Sequence, residues 1–348
     1  MLRLTTRRGS SLTIGANPWN CHKPLPWGSG FGFLRTIVAG KLLRIFPLIG
    51  TTSGVYLAAA LVTNHLVWLS GVSVSNPFQN LSVYFAGAEL IPSMKRFTFQ
   101  HEGLTFSYLD SGGELPVLVA LHAHWMEAAT FCSLAGELGS EWRVIALDQR
   151  GHGHSDHADS YTREDYLSDL EALFYHLGLE RAVLLGNSLG GVNAYEFASR
   201  HPEKVLALVI EDIGVELFSD MPPMNGWGGT FASEEELEKQ IGPRMLPYLR
   251  ESFRQTPDGW KLAFDPKDMI LSQASLAGDH WAAWLSTNCP ALLIRGTDSR
   301  VTNAGHIAEM AMRRANTQVC TLNGGHVVHR DDAIGFPEAV RLFLRSSA

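Results

Sequence analysis

Ser188 lies in a short segment whose residue types suit a serine nucleophile. The segment Gly186-Asn187-Ser188-Leu189-Gly190 separates the apolar residues 183–185 from a helical pattern that continues to Arg200. A serine on such a sharp strand-to-helix turn projects its hydroxyl clear of the sheet, beside the N–H groups of the helix start. The flanking glycines fit because a Cβ would clash where strand and helix pack closely. The pattern therefore predicts that Ser188 is a catalytic nucleophile.

A serine hydroxyl is a weak nucleophile at neutral pH and needs a base within hydrogen-bond reach. We predict that His326 is this base, because it lies in a Gly-Gly-His loop after the strand-like residues 318–322. His329 is the local competitor. Two candidate acids for orienting the histidine ring, Asp212 and Asp298, each come shortly after an apolar run.

The order of these residues, nucleophile then acid then histidine, is that of α/β-hydrolases. The segment Asp148-Gln149-Arg150-Gly151-His152-Gly153 and the apolar run that ends at His122 also fit that family. From about Met94 to its C-terminus the chain closely resembles the α/β-hydrolase family. The resemblance implies an α/β fold: a mostly parallel, doubly wound sheet with a small helical cap, and a site at the carboxyl ends of the strands.

The resemblance also implies an oxyanion hole of backbone N–H groups. One is that of Leu189, and the other comes from the loop after His122. We assign the second donor to His124, with Trp125 as the next candidate. The family usually has glycine where this chain has Ala123.

The position of the acid departs from the family pattern, which places it after the penultimate strand as Gly-x-x-Asp. Counting from Gly296 puts Ser299 in the expected position, with Asp298 one residue early. Asp212 instead follows the strand-like residues 205–210, where some family members carry their acid. We therefore predict Asp212 as the acid and keep Asp298 as the alternative, with Glu211 as a third choice.

The loop after residue 151 also contains a residue pattern that suits a different chemistry, metal-dependent hydrolysis. His152, His154, Asp156 and His157 spell the H-x-H-x-D-H ligand signature of the metallo-β-lactamase superfamily, which could hold zinc and activate water. The same residues also fall within the loop Asp-x-Arg-Gly-His-Gly-x-Ser of α/β-hydrolases. We therefore expect no metal and no cofactor, and keep a metal-dependent lactonase as an alternative.

Residues 215–288 break the regular alternation of strands and helices and are rich in proline and tryptophan. We interpret them as the helical cap over the active site. Trp281 and Trp284 of this segment, together with Trp125, are the residues expected to line an apolar substrate pocket. Trp227 and Trp260 are expected to line or support it.

The charge of the chain restricts its partners. Of 28 basic and 35 acidic residues, residues 1–93 hold seven and one, which leaves 21 and 34, and a net charge of −13, for the rest. Such an acidic domain is a poor match for nucleic acid. The expected partner is a small-molecule ester or lactone, and the sequence leaves the oligomeric state open.

Residues 1–93 form an N-terminal extension with two interpretations. Residues 45–88 contain no charged side chain, and residues 55–69 are almost wholly apolar, which suits a membrane helix within residues 45–74. Alternatively, translation starts at Met94, and residues 94–348 make a complete cytoplasmic hydrolase. The late start is the interpretation that we favour.

The function that we expect is hydrolysis of a carboxylic ester or lactone through an acyl-serine intermediate, as in carboxylesterases and lactonases. The resemblance also admits carbon–carbon bond hydrolases, which use the same triad. A non-catalytic ligand-binding member of the fold is a third reading.

Overall fold

The computed structural model describes residues 94–347 and six strands before them. The chain divides into two compact units, Met1–Ile91 and Pro92–Ala348. In the first unit two antiparallel sheets are described, one of two strands and one of four. Their strands are β1 (Leu2–Thr5) and β2 (Ser11–Ile14), then β3 (Leu34–Val38), β4 (Lys41–Pro47), β5 (Tyr56–Val62) and β6 (His65–Val72).

Within residues 55–69, where a membrane helix is one interpretation of the sequence, the structure has β5 and β6 as an antiparallel pair. The sequence explains the difference. Thr63, Asn64 and His65 divide the apolar run into halves of strand length, and neither half is long enough to span a bilayer as a helix. Among the residues that the structure describes, no helix is long and apolar enough to cross a membrane.

An eight-stranded sheet organises the second unit, in the order β18-β17-β12-β11-β9-β10-β8-β7. Six neighbouring strands, from β18 to β10, run parallel, and β8 and β7 complete the edge antiparallel. This confirms the predicted α/β-hydrolase fold with a mostly parallel sheet. The strands are β7 (Lys95–His101), β8 (Leu104–Asp110), β9 (Val117–Leu121), β10 (Arg143–Asp148), β11 (Ala182–Asn187), β12 (Val205–Glu211), β17 (Ala291–Gly296) and β18 (Thr317–Leu322).

Helices cover both faces of this sheet. They are α1 (Cys132–Leu138), α2 (Arg163–Leu177), α3 (Leu189–Arg200), α8 (Ala304–Arg313), α9 (Val328–Asp331) and α10 (Gly335–Ser347). The ends of α2 show why these sequences form helices. Thr162 accepts from the N–H of Asp165 and completes a capping box, and Gly178 ends the helix at a φ of 62°, which glycine adopts without strain.

Alternating side chains of each strand point to opposite faces of the sheet and pack in two separate cores, as the two-residue repeat of a strand requires. In β9, Val119 and Leu121 pack with α2, α3 and α8, whereas Leu118 and Ala120 pack with α1 and α10. The central strands are buried on both faces, which explains their nearly continuous apolar sequences. The cores leave the carboxyl ends of the strands as the place for polar side chains.

The segment between β12 and β17 forms an insertion with a small hydrophobic core of its own. That core includes Leu237, Leu249 and Met269, with Trp227 at its edge. The elements of the insertion are β13 (Glu216–Leu217), α4 (Glu234–Ile241), α5 (Leu246–Leu249), β14 (Phe253–Thr256), β15 (Gly259–Leu262), α6 (Pro266–Leu276), β16 (Gly278–Asp279) and α7 (Trp281–Leu285).

Candidate active site

Ser188 occupies the turn between β11 and α3, with a φ of 53° in the left-handed region. The glycines on either side are required by space: a Cβ on Gly186 would lie 2.2 Å from the carbonyl carbon of Gly190, and one on Gly190 would lie 2.1 Å from the Leu121 oxygen. The Ser188 N–H donates to the carbonyl of Glu211 at 3.1 Å, which ties the turn to the end of β12. The local structure is therefore the sharp elbow that the sequence predicts.

Asp212 follows β12, directly beside the elbow, and is fully buried. Its Oδ2 accepts a hydrogen bond from Nδ1 of His326 at 2.8 Å and another from Oγ of Ser299 at 2.6 Å. Its Oδ1 accepts from Oγ1 of Thr302 at 2.9 Å and from the N–H of Gly296 at 3.3 Å. These four donors fix the carboxylate in one orientation.

The alternative acid, Asp298, is exposed, and its backbone N–H donates to the carbonyl of Gly324 at 2.8 Å. The structure thus brings Asp212, rather than Asp298, to the ring of His326. Asp298 lies one residue before the position in the loop after β17 whose side chain reaches the site. Ser299 occupies that position, and its hydroxyl donates to Asp212.

His326 lies at the start of the segment after β18, with 28% of its side chain exposed. Since Nδ1 donates to Asp212, Nε2 is the nitrogen left to accept a proton. Asn187, the residue before the nucleophile, holds this segment in place. Its Nδ2 donates to the backbone carbonyl of His326 at 3.0 Å and to that of Glu211 at 3.2 Å. One amide therefore joins the ends of β11 and β12 to the histidine loop.

His329 has a different environment from His326. Its Nδ1 lies 2.8 Å from Oε2 of Glu211, its backbone N–H donates to Oε1 at 2.9 Å, and its Nε2 contacts Oγ1 of Thr130 at 2.7 Å. Both side chains of the Glu211–His329 pair are buried. With both ring nitrogens engaged and no exposure to a substrate, His329 is a structural residue.

The loop that supplies the second predicted oxyanion donor makes a tight turn. The N–H of Met126 donates to the carbonyl of Ala123 at 3.3 Å, across His124 and Trp125. Trp125 has a φ of 71°, a conformation that glycine usually occupies in such turns. Leu189 is the first residue of α3, so its N–H has no acceptor within the helix. The N–H groups of Leu189 and His124 remain the predicted oxyanion donors.

Three buried histidine rings, those of His122, His124 and His152, lie behind this loop. The His152 ring is 4.9 Å from that of His122 and 6.0 Å from that of His124. Burial lowers the pKa of His122 to about 4 and that of His152 to about 3, and it holds the pKa of His124 well below the usual range. All three rings are therefore uncharged near neutral pH.

The residues of the H-x-H-x-D-H signature have separate partners. Nδ1 of His152 donates to the carbonyl of Arg150 at 2.9 Å, His157 bonds to Asp268 of the insertion, and Asp156 accepts from a backbone N–H of β8 at 2.7 Å. Within residues 94–347, no group of three or more His, Cys, Asp or Glu side chains is arranged to hold a metal ion.

The tryptophan predictions need correction. Trp284 is fully buried in the main core, where its Nε1 donates to the carbonyl of Met310 at 3.0 Å. Trp281 belongs to the same core, and its Nε1 donates to Glu216 at 2.7 Å. Both fix α7 against the main domain, because an indole offers a large apolar face and one donor that must be satisfied. In this structure both indoles pack in the core of the main domain.

Trp125 and Trp227 instead meet at the boundary between the oxyanion loop and the insertion, with ring centroids 5.5 Å apart. Oγ of Ser252 in the insertion donates to the Trp125 carbonyl at 2.8 Å. The indole Nε1 of Trp125 is buried without a hydrogen-bond partner among the described residues. Trp125 thus remains a candidate for contact with a substrate. Trp260, at half burial, packs on the core of the insertion.

Sequence reasoning missed three side chains that hold the site together: Asn187, Thr302 and, as a partner of the acid, Ser299. Asn187 was visible inside the elbow motif, but nothing in a sequence shows that its amide spans two loops. The hydroxyls of Ser299 and Thr302 were signalled only by their place in the loop where an acid was expected.

The chain was compared with known proteins. Residues 118–339 match the sequence profile of the alpha/beta hydrolase family. The sn-1-specific diacylglycerol lipase ABHD11 of Mus musculus is 28% identical over 265 residues, which cover 69% of this chain and 85% of that protein. The 2-(acetamidomethylene)succinate hydrolase of Mesorhizobium japonicum is 26% identical over 226 residues, or 61% of this chain and 81% of that protein.

Among solved structures, that of an E-2-(acetamidomethylene)succinate hydrolase superimposes with a TM-score of 0.66 at 22% identity, covering 72% of this chain and 99% of that one. At this identity the match supports the fold alone.

Proposed function

The chain belongs to the alpha/beta hydrolase family, and on that premise we propose that it is a serine hydrolase that cleaves a carboxylic ester or lactone. The observation that carries the proposal is the contact of 2.8 Å between Asp212 and Nδ1 of His326, beside the elbow that presents Ser188. Nucleophile, base and acid thus come from three neighbouring loops at the carboxyl edge of the sheet.

In the proposed reaction, the Ser188 oxygen attacks the carbonyl carbon while Nε2 of His326 takes the hydroxyl proton. The proton then passes to the leaving alkoxide oxygen, which departs as an alcohol and leaves an acyl-serine. Water repeats the attack, and His326 returns the proton to Ser188. Throughout, Asp212 holds the ring in the correct tautomer and stabilises the positive charge that forms on it.

The oxyanion formed in each attack needs donors that are already in place. We assign these to the backbone N–H groups of Leu189 and His124. Donors of this kind contribute about 2.7–4 kcal/mol to catalysis in other enzymes.

The insertion would act as the cap over this site. It contacts the oxyanion loop through the Ser252–Trp125 bond, and Nε2 of His124 lies 2.8 Å from Oγ of Ser272 on α6. These contacts place the insertion directly against the oxyanion loop. The proposed partner is a small molecule, and no step of the reaction requires a cofactor.

A carbon–carbon bond hydrolase is the second candidate, because the same three groups could serve it. The separate partners of His152, Asp156 and His157 argue against the metal-dependent lactonase, since these side chains do not converge.

Labelling with a fluorophosphonate probe tests the proposal. We expect covalent modification of Ser188, unchanged by a chelator, and hydrolysis of p-nitrophenyl esters and of a lactone. Ser188→Ala should abolish labelling and turnover, whereas Ser199→Ala, which removes a hydroxyl at the far end of α3, should retain both. Turnover above a few per cent in a folded Ser188→Ala protein would overturn the assignment. Activity lost with EDTA and restored by zinc would favour the metal-dependent lactonase. Cleavage of a vinylogous diketone without ester turnover would favour the carbon–carbon bond hydrolase.

A further inference from the structure

Arg163, the first residue of α2, has a guanidinium group with no acidic partner. The group stacks over the Tyr166 ring at 4.6 Å from its centroid, donates to Oδ1 of Asn193, and lies 3.5 Å from Oγ of Ser275. Its Nε is buried without a hydrogen-bond partner, and no carboxylate within residues 94–347 forms an ion pair with it. Burial lowers the pKa of Arg163, as expected for a cation that lacks compensation.

The neighbouring Arg150 shows what a satisfied arginine looks like in the same part of the fold. Its Nε and one terminal nitrogen donate to the two carboxylate oxygens of Asp169 at 2.6 and 2.8 Å. A further nitrogen donates to the carbonyl of Ser160 at 2.8 Å. Buried charges are normally paired in this way, because an uncompensated charge out of water is costly. Arg163 departs from that rule.

The acids nearest to Arg163 are engaged elsewhere. Glu196 lies 2.6 Å from Nδ1 of His280, and Asp165 caps α2 by accepting from the N–H and hydroxyl of Thr162. Neither carboxylate forms an ion pair with the guanidinium, although both lie near enough to act on it electrostatically. The partly exposed guanidinium therefore keeps hydrogen-bonding capacity for a ligand.

Arg163 lies beside the candidate active site. The hydroxyl of Tyr166, on which Arg163 stacks, is 2.7 Å from Oγ of Ser272, which in turn is 2.8 Å from Nε2 of His124 in the oxyanion loop. On the other side, its partner Asn193 lies on α3, one and a half turns beyond the nucleophile. The guanidinium thus sits where α2, α3 and α6 meet, close to the oxyanion loop.

We propose that Arg163 binds a carboxylate of the substrate, so that the chain acts on esters or lactones that carry a free acid group. This proposal rests on the proposed serine hydrolase function and narrows its substrate class. A carboxylate matches the planar fork of a guanidinium, which can donate two parallel hydrogen bonds to it. Its negative charge also supplies the counter-ion that the fold omits.

Two substrates of equal length test the proposal: mono-p-nitrophenyl adipate, which has a free carboxylate, and p-nitrophenyl hexanoate, which has none. Wild-type protein should show the higher kcat/KM with the adipate. In Arg163→Gln the ratio of the two kcat/KM values should fall by about 10- to 100-fold, the usual effect of one lost charge-assisted interaction. For Arg163→Lys, which keeps the charge but loses the planar fork of the guanidinium, the ratio should lie between those of the wild type and Arg163→Gln.

Arg181→Gln is the matched control, because it removes the same charge from an exposed residue at the amino end of β11, away from the site. Its ratio should equal that of the wild type. A ratio in Arg163→Gln equal to that of the wild type, or a wild type that prefers the hexanoate, would refute the carboxylate subsite.

Inhibition of the wild type gives an answer even if the variants do not fold. Adipate should compete with the hexanoate ester at least about tenfold better than the uncharged hexanamide does; equal inhibition would contradict the proposal. Binding of a carboxylate at Arg163 can also be tested separately from the proposed hydrolysis. If the fluorophosphonate probe does not label Ser188, thermal stabilisation by adipate of the wild type, compared with Arg163→Gln, still reports on the subsite. Equal stabilisation of both would refute it.

Discussion

The hydroxyl of Ser299 donates to Oδ2 of Asp212 at 2.6 Å, and the same oxygen accepts the Nδ1–H of His326 at 2.8 Å. Ser299 stands where the family usually carries its acid. The residue at the usual position of the acid thus donates a hydrogen bond to the proposed acid, which follows the neighbouring strand.

Asparagine in place of each candidate acid compares them directly. We expect Asp212→Asn to lower kcat by about 10³- to 10⁴-fold, because asparagine cannot hold the same histidine tautomer. Asp298→Asn, at an exposed position, should leave kcat within about twofold of the wild type. Steady-state kinetics on p-nitrophenyl butyrate measure both. A larger loss for Asp298→Asn would show that the acid is misassigned.

Moving the carboxylate back tests the relationship between residues 212 and 299. The double variant Asp212→Asn/Ser299→Asp restores a carboxylate to the position next to Oδ2, within reach of His326. Its kcat should exceed that of Asp212→Asn by at least about tenfold, a gain of roughly 1.4 kcal/mol in transition-state stabilisation. Ser299→Asn in the same background is the control without charge, and equal activity of the two double variants would contradict the idea.

The buried Glu211–His329 pair should matter for stability and little for chemistry. Glu211→Gln replaces a carboxylate that accepts bonds from both the backbone and the ring of His329, so the free energy of unfolding should fall by about 1–3 kcal/mol. Urea unfolding measures this loss. At a temperature where the variant is folded, its kcat should stay far above that of Asp212→Asn; a loss as large would make Glu211 the acid.

The buried histidines predict how stability depends on pH. The pKa values of His122 and His152, about 4 and about 3, lie below the ordinary 6.5 that they regain on unfolding. Between pH 6.5 and 4 the unfolded chain therefore binds more protons, so stability is lost as pH falls, by about 1.4 kcal/mol per pH unit for each such residue.

Replacing His152 tests this dependence. His152→Asn keeps a donor for the carbonyl of Arg150 but cannot take up a proton. Urea unfolding at pH 7, 6 and 5 should show a slope against pH that is smaller by about one proton than in the wild type. An unchanged slope in His152→Asn would mean that this ring is already protonated in the native protein.

Deleting residues 1–93 tests the proposed domain boundary. All elements of the eight-stranded sheet, its helices and the insertion lie within residues 95–347, so we expect residues 94–348 to give a folded protein that the fluorophosphonate probe labels. Size-exclusion chromatography and labelling provide the measurement. If this protein aggregates or is inactive while the full chain works, the N-terminal residues are part of the functional unit.

The sequence predicted the fold well because its signals are local or periodic. The elbow is one example: two glycines around Ser188 have a single steric explanation, and the structure places both against backbone atoms. The doubly buried strands are another, since apolar runs bounded by turns specify a parallel sheet. The prediction that Asp212 is the partner of His326 depends on a smaller signal, the one-residue offset of Asp298 from the expected position.

The tryptophans show where such reasoning stops. Trp281 and Trp284 lie in a short helix that packs on the main core, and no local pattern separates an indole that faces a ligand from one that fills a core. Arg163 cannot be recognised as a candidate binding residue from the sequence, for a similar reason. An arginine at the start of a helix is usually solvated, and only the tertiary contacts of its guanidinium reveal the missing partner.

Placing the acid on β12 has a consequence for the order in which the site is made. Ser188 and Asp212 are joined by a single β-α-β crossover and are separated by only 24 positions, so a nascent chain can place them before the insertion has left the ribosome. His326 is the last of the three to be synthesised, and its docking is a long-range event. If Ser188, Asp212 and His326 form the proposed triad, the growing polypeptide carries the nucleophile and the acid before the base, and it gains hydrolytic competence only when its C-terminal segment reaches Asn187.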